Sequence, residues 1–287
     1  MEPARSPFAR IAFSIACIID LQQEDGSWGY FHSLAVTSES PITTEQALRR
    51  LEILGFSIED NCIQKAVAYM DGCLKGINQI PDRREKLHDW TIFTSMILAT
   101  WIRRFTKENI RANEVAAKWT MVVTAAFQNG TYDHQEYVNV YHQIFGMKPR
   151  GDRLIDFVQF YGVTMIAELL DRETEDRVMQ YILDKPDGIY YIYDKCLRVL
   201  PEQFASKQTS RYLGAVELLA EFSYGREQLN FVVDWLNANR NENGGWDMGS
   251  TSKVFPYFPL SDNWRRQVIR EADCTKRISK LIEKISA

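Results

Sequence analysis

The residues able to do chemistry are scattered along this 287-residue chain rather than gathered in one motif. Its four histidines (His32, His88, His134, His142) form no H-E-x-x-H pattern, and His134 and His142, eight positions apart, do not make a chelating pair on one helix. The five cysteines (Cys17, Cys62, Cys73, Cys196, Cys274) are odd in number and lack a C-x-x-C pair, a pattern of free thiols in a reducing compartment. Among the acids, Asp89 in His88-Asp89-Trp90-Thr91 stands before a strongly apolar run, where it can cap a helix and, if that helix lies inside the fold, face a cavity. Asp273 ends the charged stretch Arg270-Glu271-Ala272-Asp273, the setting of an ordinary surface ion pair. Neither a phosphate-cradling glycine loop nor a D-D-x-x-D carboxylate motif is present. Trp90, Trp101, Trp119 and Trp264 can fill a core or line an apolar pocket.

Composition limits the partners. Hydrophobic residues make up 45% and charged residues 25%, as in globular proteins, while aromatics reach 12%. The net charge is −4 and no run of Lys and Arg is long enough for a phosphate-binding stripe, so nucleic acid is not an expected partner. Met1 to Arg10 lacks a signal-peptide layout, and the apolar stretch 11–21 is interrupted by Ser14 and Asp20 and too short to span a bilayer. The expectation is a cytoplasmic protein with no transmembrane segment; peripheral membrane contact is compatible with it.

The elements that must position these residues are helices. Ile11, Ile15 and Ile18, then Ile63, Val67, Met70 and Leu74, then Phe93, Ile97 and Trp101, fall at helical spacing, and the one short strand candidate is Ile189–Tyr193. One set of helix starts falls near Ser6, Ser57, Glu108, Arg172 and Gly225. A second set interleaves near Thr43–Gly55, Leu87–Phe105, Arg153–Leu170, Lys207–Phe222 and Trp264–Ile285, and an extra helix fits His134–Gly146. Spacings of roughly fifty residues mark stacked helical pairs that bury their faces on one another. Four loops place a glycine before an aromatic: Gly26-Ser27-Trp28, Gly130-Thr131-Tyr132, Gly188-Ile189-Tyr190 and Gly245-Trp246. The expected architecture is all-α: one domain over residues 1–287, a single α/α toroid of five to six outer and inner helix pairs.

The run Gln22-Gln23-Glu24-Asp25-Gly26-Ser27-Trp28-Gly29 resembles the Q-x-x-x-G-x-W motif of squalene–hopene and oxidosqualene cyclases. Asn241-Glu242-Asn243-Gly244-Gly245-Trp246-Asp247 resembles a second copy with the Gln replaced, and Gln128-Asn129-Gly130-Thr131-Tyr132 a third. With the repeat spacing, the resemblance covers most of the chain. It implies a terpene cyclase/prenyltransferase-like toroid whose motif clamps helix ends around a central apolar cavity.

The same resemblance frames the chemistry. Class II cyclases protonate an alkene with an acidic Asp and guide the cation along aromatic walls. The D-x-D-D motif of the hopene cyclase type is absent, its place reading Ser40-Pro41-Ile42-Thr43-Thr44-Glu45. The D-C-T-A-E motif of the oxidosqualene cyclase type is matched in its first three residues by Asp273-Cys274-Thr275. By resemblance Asp273 is then the proton donor, Cys274 its hydrogen-bond partner, and the Trp residues candidates for the cavity wall. Prenyltransferase β-subunits, which share the toroid, hold zinc with an Asp, a Cys two residues on and a distant His. Asp71, Cys73 and His134 fit that pattern, although Asp60-Asn61-Cys62 and Asp194-Lys195-Cys196 repeat its first part. The expected function is an isoprenoid cyclase-like protein working without a cofactor; the alternative is a non-catalytic toroid that binds an isoprenoid or a protein.

Overall fold

The computed structural model describes residues 16–32, 40–84, 86, 88–146, 154–254 and 264–287. Among them the chain is helical, with two isolated bridges (Gln159 with Tyr190, Ile189 with Tyr193) where the strand candidate lies. After a helical segment at 16–20 come α1 (Thr44–Ile53), α2 (Asn61–Leu74), α3 (Trp90–Phe105), α4 (Ile110–Phe127) and α5 (His134–Phe145). They are followed by α6 (Phe160–Ile166), α7 (Arg172–Asp184), α8 (Lys207–Leu219), a 3-10 turn (Gly225–Leu229), α9 (Asn230–Ala238) and α10 (Gln267–Ser286). The helix expected from Ser6 begins outside the described residues.

Local chemistry sets the starts. Thr43 and Gln46 close a reciprocal capping box on α1, satisfying two backbone donors that the first turn leaves open. Asp89, Asn109, Asp133, Gln159, Asp171 and Ser206 each accept a first-turn N–H at the head of α3 through α8. Gly146 ends α5 in the left-handed conformation that a Cβ disfavours.

Packing sorts the helices into two rows. α2, α4, α7 and the 3-10 turn touch in succession, and so do α3, α6 and α8, while α2–α3, α3–α4, α4–α6 and α9–α10 contacts join one row to the other. Burial says which row is interior. α6 buries six of its seven residues and α8 nine of thirteen, whereas α4 buries seven of eighteen. A helix covered nearly all round lies inside the fold, and one with a single apolar stripe lies outside. α5 packs on α4 as the additional helix between repeats. One hydrophobic cluster runs from Ile18 to Ile285, and no described helix is long and apolar enough to cross a membrane.

Candidate functional site

The Gly-Trp turns hold the rows in place. In the first, the Trp28 indole N–H donates to Ile18 O (2.7 Å), the Trp28 backbone N–H to Thr44 Oγ1 (2.9 Å), and the Gln22 amide to Gly26 O and Cys62 O. Trp28 and Thr44 are wholly buried. Thr44 is the first residue of α1, so this clamp fixes where that helix begins and what its first turn faces.

What it faces is Glu45. This carboxylate, with an 11% exposed side chain, receives the Tyr161 hydroxyl on Oε2 (2.7 Å), lies 2.9 Å from His32 Nδ1 through the same oxygen, and receives the Arg49 guanidinium on Oε1 (3.0 Å). Tyr161 Oη is also 2.9 Å from His32 Nδ1, closing a triangle. Tyr161 belongs to the first turn of α6, Arg49 lies one turn along α1, and His32 is in the loop after Trp28. The Asp82 carboxylate accepts the backbone N–H groups of Phe31 (2.5 Å) and His32 (2.8 Å), which sets the height of the imidazole. Phe93, in the first turn of α3, meets the His32 and Tyr161 rings edge-on at 5.8 and 6.0 Å, with the Trp90 ring 6.2 Å away. The first turns of three helices, α1, α3 and α6, thus surround one polar group.

The electrostatics follow from the partners. Burial pushes the Glu45 carboxyl upward, but the His32 hydrogen bond, the Arg49 charge and the Tyr161 hydroxyl outweigh it and hold the group below the ordinary carboxylate range. Burial, and then the neighbouring Glu45 charge, drive Tyr161 well above its usual value, so it stays a protonated donor. Behind the cluster the Arg49 guanidinium lies 4.1 Å from the Phe160 ring centre and 5.4 Å from that of Trp101.

The residues singled out from the sequence lie elsewhere or beside this group. Asp89 is the cap of α3, accepting Ile92 N–H at 3.0 Å. Trp90 is half-buried near Phe93. Trp101 is fully buried against Phe105 and Phe160, and Trp119 is fully buried against Tyr141 and Phe145 on the exterior row. Asp273, half-buried on α10, accepts the indole N–H of buried Trp264 at 2.7 Å. The charged stretch before it supplies a different pair, Arg270 with Asp247. Cys274 is buried, its thiol pushed up to about 11 chiefly by burial, and Thr275 accepts the backbone N–H of Trp246. Asp273-Cys274-Thr275 is therefore tied into the second Gly-Trp clamp.

The weak metal candidates are not assembled: among the described residues no three His, Cys, Asp or Glu side chains form a metal-holding group. Asp71 is bound by Lys75 and by Asn109 Nδ2, burial raises the Cys73 thiol to about 11, and His134 is 3.1 Å from the Tyr132 hydroxyl. An open groove of 510 Å³ between the ends of α4 and α7, lined by Phe127, Tyr132, Arg177, Tyr181 and Lys185, is a further hollow. Its cations are already engaged, Arg177 with Phe127 O and Glu173, Lys185 with Asp187.

His32, Glu45 and Tyr161 are the residues that sequence reasoning missed. Glu45 was in view at the station where D-x-D-D is absent, but its partners are 13 and 116 positions away along the chain. No protein-family model, curated protein or solved structure matches this chain.

Proposed function

We propose that the chain is a terpene cyclase-like α/α toroid that holds an apolar, isoprenoid-like small molecule, with His32, Glu45 and Tyr161 as its polar station. The observation that carries this reading is the meeting of three helix starts on a single acid–base cluster walled by Phe93, Tyr161 and Trp90. Two rows of stacked helices support the toroid, because such rows close on themselves when each pair adds a constant turn. Phe93 and Trp90 offer the apolar contact, and the cluster supplies orientation.

Binding is favoured over alkene protonation by the state of the acid. A proton donor to an alkene must be a neutral, strongly acidic group, whereas Glu45 is held as an anion by three donors. The second reading, a class II cyclase with Asp273 as its acid, draws on the placement of Asp273 between the buried Trp264 indole and the buried Cys274.

Mass spectrometry of organic extracts, after incubation with squalene, oxidosqualene, farnesyl diphosphate and geranylgeranyl diphosphate, separates the two. Uncyclised isoprenoid carried through purification, and lost with Glu45→Gln, is the expected result. A cyclised product that vanishes in Asp273→Asn establishes the second reading instead. Neither product nor bound isoprenoid removes both.

A further inference from the structure

We propose that the open groove between the ends of α4 and α7 binds a neutral carbohydrate, laid against the stacked rings of Tyr132 and Tyr181. The groove is built from other elements than the isoprenoid station, and neither reading depends on the other.

The groove grows out of the third Gly-aromatic turn. Gly130 has the same left-handed φ, +93°, as Gly26 in the first. Trp28 and Trp246 are buried and spend their indole N–H on a carbonyl. Tyr132 instead stays partly exposed, and its ring lies nearly parallel to that of Tyr181 with centres 4.5 Å apart. Phe127 closes in on both rings, its centre 5.6 Å from each. The result is an aromatic floor in a hollow of 510 Å³, a size usual for small-ligand sites.

Polar groups left over by the fold stand around that floor. Among the described residues, the Tyr181 hydroxyl, the Gln180 amide and the Thr131 hydroxyl line the groove without a hydrogen-bond partner in the chain. Burial, and then the charges of Asp156 and Asp187, push the Tyr181 hydroxyl up to about 12, so it stays a donor. Asp184 and Asp187 each accept from one cation, Arg198 and Lys185, and a carboxylate has room for further donors. Donors and acceptors thus stand side by side without surplus charge.

The lining sorts the ligand chemistries. An anion finds no open cation, because Arg177 is taken by Phe127 O and Glu173 and Lys185 by Asp187, and it meets the Asp156 and Asp187 charges near Tyr181. A quaternary ammonium or a flat base needs ring faces open to it, whereas Tyr132 and Tyr181 already cover each other. A hydrocarbon would bury the Tyr181 hydroxyl and the Gln180 amide with nothing to bond them. A sugar ring rests its C–H face on the aromatic floor, while its hydroxyls, each both donor and acceptor, meet Tyr181, Gln180 and Asp184.

Isothermal titration calorimetry of the full chain tests this with cellobiose and maltose as the neutral sugars. Pyrophosphate, tetramethylammonium, AMP and a decaproline peptide are the comparisons. Saturable binding of at least one disaccharide, tighter than any comparison, is the expected result. Tyr181→Phe keeps the stacked ring, and Gln180 is exposed, so Tyr181→Phe and Gln180→Ala should both retain the wild-type urea midpoint. Each should nevertheless weaken the sugar about fivefold, the loss of one hydrogen bond; a merely structural residue would move the midpoint instead. Absence of binding by both sugars, or sugar affinity unchanged in both variants, overturns the inference. Tighter binding of a comparison overturns it too, and decaproline in that place would make the groove a peptide dock.

Discussion

The two ends of the molecule carry the same turn and put it to different use. In both, the Trp indole donates to a carbonyl ten residues earlier at 2.7 Å, Ile18 for Trp28 and Leu236 for Trp246. In both, the Trp backbone N–H reaches a threonine hydroxyl on a later helix, Thr44 or Thr275, and a left-handed glycine, Gly26 or Gly244, stands two residues before the Trp. The difference is where the threonine sits. Thr44 opens α1, so its neighbour Glu45 falls in the first turn and turns inward. Thr275 lies well inside α10, so its neighbour Lys276 is one more exposed residue of an amphipathic helix. The side chain before the turn differs as well: Gln22 bonds Cys62 O on α2, whereas Arg240 lies over the Trp246 ring at 4.7 Å. One backbone device therefore yields a buried acid at one end and a plain fastening at the other, according to the helix register it clamps.

The largest expected effect tests whether the clamps are mechanically equal. Trp28→Ala and Trp246→Ala each remove a fully packed indole and its hydrogen bond. Each should cost roughly 3–5 kcal/mol, read as a shift in urea midpoint. A much smaller cost at either position breaks the equivalence.

Next in size is a pair that separates the two turns. Both glycines have positive φ, +93° at Gly26 and +77° at Gly244, so Ala at either carries the left-handed penalty, about 1 kcal/mol. A Cβ on Gly26 would come within 2.4 Å of Lys65 O on α2, whereas a Cβ on Gly244 meets nothing within 4 Å. Gly26→Ala should therefore cost roughly 2–4 kcal/mol and Gly244→Ala about 1. Equal costs would mean that the first turn does not press on α2.

Much of the fold was legible before any coordinates, and for local reasons. Helical spacing at Phe93, Ile97 and Trp101, the cap at Asp89 and the breaker at Gly146 act within a few residues, so a linear reading finds α3 and α5 to within a few positions. The expected helix Arg153–Leu170 contracted to α6, Phe160–Ile166, because the side chain of Gln159 caps it there and the segment before it runs as loop. The site was less legible. The letters of Asp273-Cys274-Thr275 do not tell that Thr275 takes the backbone N–H of Trp246 or that Asp273 takes the indole N–H of Trp264. His32 belongs to no motif, and it meets Tyr161 from 129 positions away along the chain. A contact made by helix packing leaves no mark in spacing.

A smaller effect is expected at the two threonines. Thr44→Val leaves the Trp28 N–H unpaired in a wholly buried setting, at the upper end of roughly 1–3 kcal/mol. Thr275 is half-buried, so water can replace part of its bond and Thr275→Val should fall at the lower end. Chemical denaturation of the two variants side by side decides it, and a reversed order would mean that the second clamp is the drier one.

The smallest effect is confined to acid, and it asks whether the register difference matters energetically. Glu45 is lowered in the folded protein below its ordinary value of 4.5, so the unfolded chain takes up its proton first as pH falls. Its stabilisation is thus complete above pH 4.5 and is lost as pH drops through the lowered folded value. Glu45→Gln has no charge to lose. Below about pH 4.5 the stability gap between wild type and Glu45→Gln should therefore narrow, whereas a Lys276→Gln control at the corresponding, exposed place leaves the acid limb unchanged. Urea melts at a series of pH values measure both curves. A gap that instead widens toward acid would mean that Glu45 is protonated in the folded protein. The triangle would then lose its anion, and the first clamp would be a fastening like the second.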